Sequence, residues 1–186
     1  MALLASDGIL PNQQSADTRR YAWNQKSASE MDMRLRKATP DDAQPVALLW
    51  HELIRTHLDY DPHFEVKADA AGGFADHIRQ AANETTTLLG VAEDNSRLVG
   101  FIHASILKRP PCFTVSHQGQ VWDLLVRPEC RRQGVGRGLV QMALRFFRDN
   151  GVEFADVRVA SQNAPAIAFW NSMGMQPYIT VGKLKP

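Results

Sequence analysis

Two cysteines, Cys112 and Cys130, are too few for a disulfide framework in a chain of 186 residues, and they form no CxxC pair. A reducing, cytoplasmic setting is the expectation. No apolar run approaches the roughly 18 residues of a membrane span. The opening Met1-Ala2-Leu3-Leu4-Ala5-Ser6-Asp7 has no basic residue and loses its apolar character at Asp7, too early for a secretory signal. Charge of one sign is also missing. With 21 Lys and Arg against 20 Asp and Glu, the net charge is +1, which argues against a polybasic nucleic-acid binder. Twelve Gly and ten Pro exclude a collagen-like or low-complexity chain. What is present is ordinary globular usage, 44% hydrophobic and 22% charged. A domain of about 150 residues buries roughly 70% of its unfolded surface, so a core suffices without staples.

Residues 1–30 differ from the rest. Gln13-Gln14-Ser15-Ala16-Asp17-Thr18-Arg19-Arg20 is polar and aperiodic. The segment reads as a mobile extension, or as a start assigned upstream of Met31 or Met33, with Trp23 incidental to it. The domain is then 31–186. Met33–Ala38 alternates like a strand. Thr39-Pro40-Asp41-Asp42 carries a hydroxyl cap, Pro at the first helical position and an acid three residues after the cap. Val46, Leu49, Trp50, Leu53 and Ile54 follow at helical spacing, with Pro45 shifting or kinking the start. A second helix is predicted within 68–82, beyond an acidic, aromatic loop holding Asp59, Asp61 and Glu65. That loop is either a solvated face or a hint of a cationic ligand.

Strands are predicted at Thr87–Ala92 and Leu98–Leu107, joined as a hairpin by Asp94-Asn95-Ser96-Arg97. Another runs from Gln120 to Val126. An amphipathic helix spans Val135–Arg148 and stops at Asn150-Gly151. Asp156–Ala160 reads as a strand, Ala164–Met173 as a short helix and Tyr178–Leu184 as a last strand. Helices separated by strands, with an early hairpin, predict an α/β fold with a mixed sheet.

The most informative stretch is Arg131-Arg132-Gln133-Gly134-Val135-Gly136-Arg137-Gly138, between a strand and a helix. Its glycines let the backbone approach a ligand. The first amides of a helix lack internal partners and sit at the positive end of its dipole, which suits a phosphate. A P-loop needs Gly-Lys-Ser/Thr, which is missing here. A dinucleotide fingerprint needs G-x-G-x-x-G, but Leu139 stands at the third position. The remaining form, Arg-x-x-Gly-x-Gly, resembles the acyl-CoA signature of the GNAT superfamily of N-acetyltransferases. Val121-Trp122-Asp123-Leu124-Leu125-Val126-Arg127-Pro128-Glu129-Cys130-Arg131 looks like that family's fourth strand entering its loop. Asn163 through Met175, with Ala166, Phe169, Trp170 and Gly174, resembles its second signature, Asn-x-x-Ala-x-x-Phe-Tyr-x-x-x-Gly-Phe.

The resemblance covers about 33–184 and implies a twisted mixed sheet whose fourth and fifth strands splay to admit acetyl-CoA, with flanking helices. It implies that the pantetheine arm pairs with the backbone of Leu124, Leu125 and Val126. The pyrophosphate would lie on the loop of Arg131, Arg132, Gln133, Gly134, Val135, Gly136 and Arg137. Asn163 would bond the arm, cap the following helix, or do both. The implied activity is direct transfer of acetyl to a primary amine of a small molecule or peptide in a ternary complex, with no metal, no nucleic acid and no membrane. A homodimer is a further expectation. The alternative is a catalytically silent acyl-CoA sensor.

Transfer requires that the ammonium lose a proton. Asp123, just before the acyl-binding backbone, is the first candidate to take it or to anchor a cation; otherwise it is a strand-end residue paired with an arginine. His103 is the second candidate. The family's phenolic acid falls at Trp170, whose indole cannot serve. Either Tyr178 reaches in or the thiolate leaves unprotonated. Cys130 lies beside arginines that would lower its pKa, but direct transfer needs no thiol.

Overall fold

A computed structural model describes residues 33–184. The segment 1–30, read as an extension, lies outside the described residues. The first strand, β1 (Arg34–Lys37), ends where Thr39 and Pro40 turn the chain into a 3-10 turn, Pro40–Asp42. The cap acts through Asp42. Its carboxylate accepts from the Thr39 backbone N–H at 2.7 Å and from the Thr39 hydroxyl at 3.0 Å. Arg36 closes the corner with two bonds to Asp42, at 2.7 and 2.8 Å, and one to Glu93 at 2.7 Å. The guanidinium and the Thr39 donors hold the Asp42 carboxyl down at about 2.

Helix α1 spans Ala43–Leu58. Pro45 is its third residue, within the first turn, where the missing N–H forfeits no helical bond. Helix α2 spans Ala70–Ala81. The hairpin follows as β2 (Thr87–Asp94) and β3 (Arg97–Lys108). Its two-residue turn places Asn95 and Ser96 at φ +47° and +64°, the double left-handed turn that matches strand twist. Then come β4 (His117–Val126), α3 (Val135–Asp149), β5 (Ala155–Val157) and α4 (Ala164–Ser172).

The sheet order is β1-β2-β3-β4-β5. The first three pairings are antiparallel and β4–β5 is parallel. The mixed sheet and its flanking helices are as predicted. One core lies beneath α3 and α4, with Ile102, Leu139, Phe147 and Trp170. The other lies beneath α1 and α2, with Val46, Leu49, Ile78, Leu89 and Phe101. Burying a side chain of that size stabilises by about 1.5–3 kcal/mol, so both helical layers are held mainly by the sheet between them.

Two sequence expectations are corrected. The strand predicted at Asp156–Ala160 pairs only over Ala155–Val157, against Gly119–Val121. Just beyond that contact, β4 carries a bulge: His103 faces Asp123 and Ala104 faces Val121, leaving Trp122 unpaired. A bulge increases local twist, which carries β4 away from its neighbour. The strand predicted at Tyr178–Leu184 does not form. Tyr178, Ile179, Val181 and Leu184 are 65–93% exposed, and the adjacent edge strand is three residues long.

Candidate active site

Beyond Val121 the β5-side edge of β4 has no strand partner among the described residues. Leu124, Leu125 and Val126, the residues expected to pair with the pantetheine arm, follow on that strand. The chain then passes through a 3-10 turn, Pro128–Cys130, into the glycine loop. Two side chains of that loop serve the loop itself. Arg131 Nε donates to the Val126 carbonyl at 2.8 Å, and Gln133 Nε2 donates to the Glu129 carbonyl at 3.1 Å. Arg132 sits at φ +63°, a left-handed conformation costly for a side chain with a Cβ. Gly134, the residue capping α3, sits at φ +84°. Left-handed backbone at Arg132 and Gly134 turns the chain from the 3-10 turn into α3.

The first helical bond of α3 runs from Gly138 N–H to the Gly134 carbonyl at 2.9 Å. The amides of Val135, Gly136 and Arg137 therefore have no partner within the helix. Arg132 and Arg137 are exposed beside them. A Cβ on Gly136 would lie 3.5 Å from the Phe169 ring, an ordinary contact. The protein itself therefore does not demand glycine there, whereas a backbone-bound phosphate would. Gly138 is different: a Cβ there would run into Leu35 of β1, so that glycine serves helix–sheet packing. These features fit a CoA pyrophosphate on the amides and a pantetheine arm along β4.

Asn163 caps α4, accepting from the Ala166 N–H at 3.1 Å through Oδ1. The cap reading is correct, and the side-chain NH2 has no bond among the described residues. Trp170 is buried in the α3-side core, where it packs edge-on against Phe169 with ring centroids 5.3 Å apart. Cys130 is also buried. Desolvation and then Glu129 push its thiol up, which overturns the lowered pKa expected from the neighbouring arginines.

The other side of β4 holds a cleft of about 390 Å³. Asp123 and Trp122 come from the bulge, His103 and Ser105 from β3. Asp123 is nearly buried, and its Oδ2 lies 3.3 Å from Nδ1–H of His103. Its partner is thus a histidine, not an arginine. The two acid–base candidates read separately from the sequence form one pair. Phe74 and His77 of α2, exposed Glu84 and buried Thr87 complete its lining. His77 approaches His103 edge-on, ring centroids 5.3 Å apart. Partial desolvation and then His103 lower the His77 imidazole below its ordinary value. Thr87 Oγ1 donates to Glu84 at 3.1 Å.

Phe74, His77, Glu84, Thr87 and Ser105 were not anticipated from sequence. The i, i+3 spacing of Phe74 and His77 was the available signal; the pairing of Thr87 with Ser105 depends on a register shift at Ala92/Glu93. Tyr178 is not among the residues lining this cleft. Its hydroxyl donates to Asp156 at 2.6 Å, which raises its pKa and keeps it protonated. Asp59, Asp61 and Glu65 do not line the cleft either, and Asp61 is paired with Lys183. Arg127 is engaged by Glu52 at 2.6 Å.

A family model described as Acetyltransferase (GNAT) family matches residues 48–175. Mycothiol acetyltransferase of Segniliparus rotundus is 34% identical over 124 residues, covering 66% of this chain and 46% of that protein. The chain spans less than half the length of that relative. Among solved structures, a mutant of the BH1408 protein from Bacillus halodurans superposes with a TM-score of 0.74 at 19% identity, over 82% of this chain and 99% of that one. An aminoglycoside N-acetyltransferase, AAC(6')-Iy, solved in complex with CoA, superposes with a TM-score of 0.68 at 16% identity, over 87% and 99%. Both likenesses establish the fold. The matched span runs from α1 through the glycine loop to the end of α4, and on that evidence the chain belongs to the acetyltransferase (GNAT) family.

Proposed function

We propose that this protein transfers acetyl from acetyl-CoA to the primary amine of a small molecule or peptide, directly and within a ternary complex. The observation that carries this reading is the placement of two sites on one strand. β4 offers an unpaired edge and an amide-rich loop on one side, and the Asp123–His103 pair in a cleft on the other. Bringing two reactants to one strand converts a bimolecular encounter into a local one.

Acetyl-CoA, when bound, supplies an activated thioester. The amides of Leu124 to Val126 and the first turn of α3 would hold it, and a β4 amide would stabilise the oxyanion. Asp123, kept in place by His103, accepts the ammonium proton directly or through water. The freed nitrogen pair would form the C–N bond as the C–S bond breaks and the sulfur leaves as thiolate, and the nitrogen's second proton would pass to water. Tyr178, held protonated on Asp156, is the candidate to return a proton to the sulfur. A free thiol has a pKa of about 8.5, so departure without that help is also feasible near neutrality.

Labelled acetyl transfer across an amine panel tests this reading. Transfer to at least one amine is expected. CoA binding without transfer to any amine would favour the silent sensor instead. Size-exclusion chromatography checks the expected homodimer.

A further inference from the structure

The cleft beside Asp123 has a chemical character of its own. Its two carboxylates, Asp123 and Glu84, meet no lysine or arginine among the residues that line it. The histidines do not make up for this. His103 is committed to Asp123 at 3.3 Å, and His77 is held below its ordinary pKa. The aromatic side chains are placed as surfaces. Phe74 is locked by Trp50, stacked at 4.2 Å and 11°, which fixes the plane it presents. Trp122, the unpaired bulge residue, is 47% exposed at the mouth. A volume of about 390 Å³ is at the small end of ligand pockets.

Resting on the acetyltransferase reading, we propose that the acceptor is a compact primary amine with an aromatic body and no carboxylate beside its nitrogen. The ammonium lies between Asp123 and Glu84, and the ring lies between Phe74 and Trp122. An ammonium gains from both carboxylates and from the adjacent aromatic faces. A free α-amino acid would bring its own carboxylate against the same two, with no arginine to receive it. Like charge in a partly desolvated cleft is strongly disfavoured. Glu84 and the Phe74–Trp122 walls thereby act as specificity residues.

Calorimetry with CoA present tests this without requiring turnover. The probes are phenethylamine, phenylalanine, phenylalaninol (hydroxymethyl in place of the carboxylate) and butylamine. Phenethylamine is expected to bind at least about 30-fold tighter than phenylalanine, with phenylalaninol restoring most of the difference. Butylamine should be weaker than phenethylamine by roughly 10-fold, for want of aromatic contact. Glu84→Gln should weaken phenethylamine about 5–10-fold while leaving CoA affinity unchanged. Equal binding of phenylalanine and phenethylamine overturns the proposal, as does failure of all four probes to bind. Selective phenethylamine binding without acetyl transfer would uphold the cleft assignment and remove the transferase reading. Transfer to amines without the stated preference would do the reverse.

Discussion

The two sides of β4 are built from different materials. Toward β5 and α3, the binding surface is backbone: a strand edge unpaired among the described residues, a left-handed Gly134 and three amides without a partner in their helix. Toward α1 and α2, it is side chain: a carboxylate–imidazole pair, a second carboxylate and two aromatic rings contributed by four separate segments. Backbone recognition tolerates almost any side chain and fails when one intrudes. Side-chain recognition depends on identity at each position and tolerates little substitution there. One side therefore suits a ligand that never varies, and the other suits one that does.

The largest effect should come from obstructing the backbone side. Gly136→Asp adds bulk and like charge where only amides should face the pyrophosphate. We expect loss of detectable CoA binding by calorimetry. The melting temperature should change little, because the new Cβ makes only ordinary contact with Phe169. Unchanged CoA affinity in a folded variant would remove the distinction between the two sides.

Asp123→Asn probes the other side. Activity should fall by about 100-fold or more, with CoA affinity nearly unchanged, if the carboxylate takes the proton. A loss confined to acceptor KM would instead mark Asp123 as a cation anchor. Full activity in this variant would end its assignment. Tyr178→Phe should be milder, because the hydroxyl is exposed and tied to Asp156, outside the cleft lining. A larger loss from Tyr178→Phe than from Asp123→Asn would reverse their ranking.

A smaller effect, on stability, concerns the corner that launches α1. Asp42 is held at about 2 in the fold, against an ordinary value near 3.8. Its contribution is complete above pH 4 and lost as pH falls through 2, because the unfolded chain takes up the proton first. We expect about 1–2 kcal/mol of acid destabilisation between pH 4.5 and 2, measured by denaturant unfolding. Asp42→Asn should lower stability at neutral pH and remove that part of the slope. An unaltered slope would show that the Arg36–Asp42 clamp carries little weight.

The contrast between the two sides also explains what could be read from the residues alone. The glycine loop, its strand and its helix lie within one continuous stretch. Turn residues and amphipathic spacing register there directly, and Gly134 with Gly136 pointed to the amides. The hairpin was legible for the same reason, since Asn95-Ser96 dictates its turn. The acceptor side was not. Phe74, Glu84, Ser105 and Asp123 come together only through sheet register and through α2, whose weak pattern placed it no better than within 68–82. The tail misled because β-branched and aromatic residues form a strand only where a neighbouring surface receives them. At Ile179 and Val181 nothing among the described residues does. Cys130 misled because arginines close in sequence were outweighed by burial, which sequence proximity does not report.

The unpaired Trp122 has a genetic corollary. Counting down β4 from Leu125, strict alternation would put Val121 on the same face as Asp123. The extra residue shifts the phase, so Val121 enters the α3-side core while Asp123 stays in the cleft. The two halves of the strand are thereby written in separate reading frames of inside and outside. Loss of the single codon for Trp122 would remove the phase shift: His103 and Ala104 would face consecutive residues of a regular β4, with Asp123 still on the cleft face and Val121 still on the core face. A change of three nucleotides would thus erase the bulge and one aromatic wall of the cleft while leaving both faces of the strand in place.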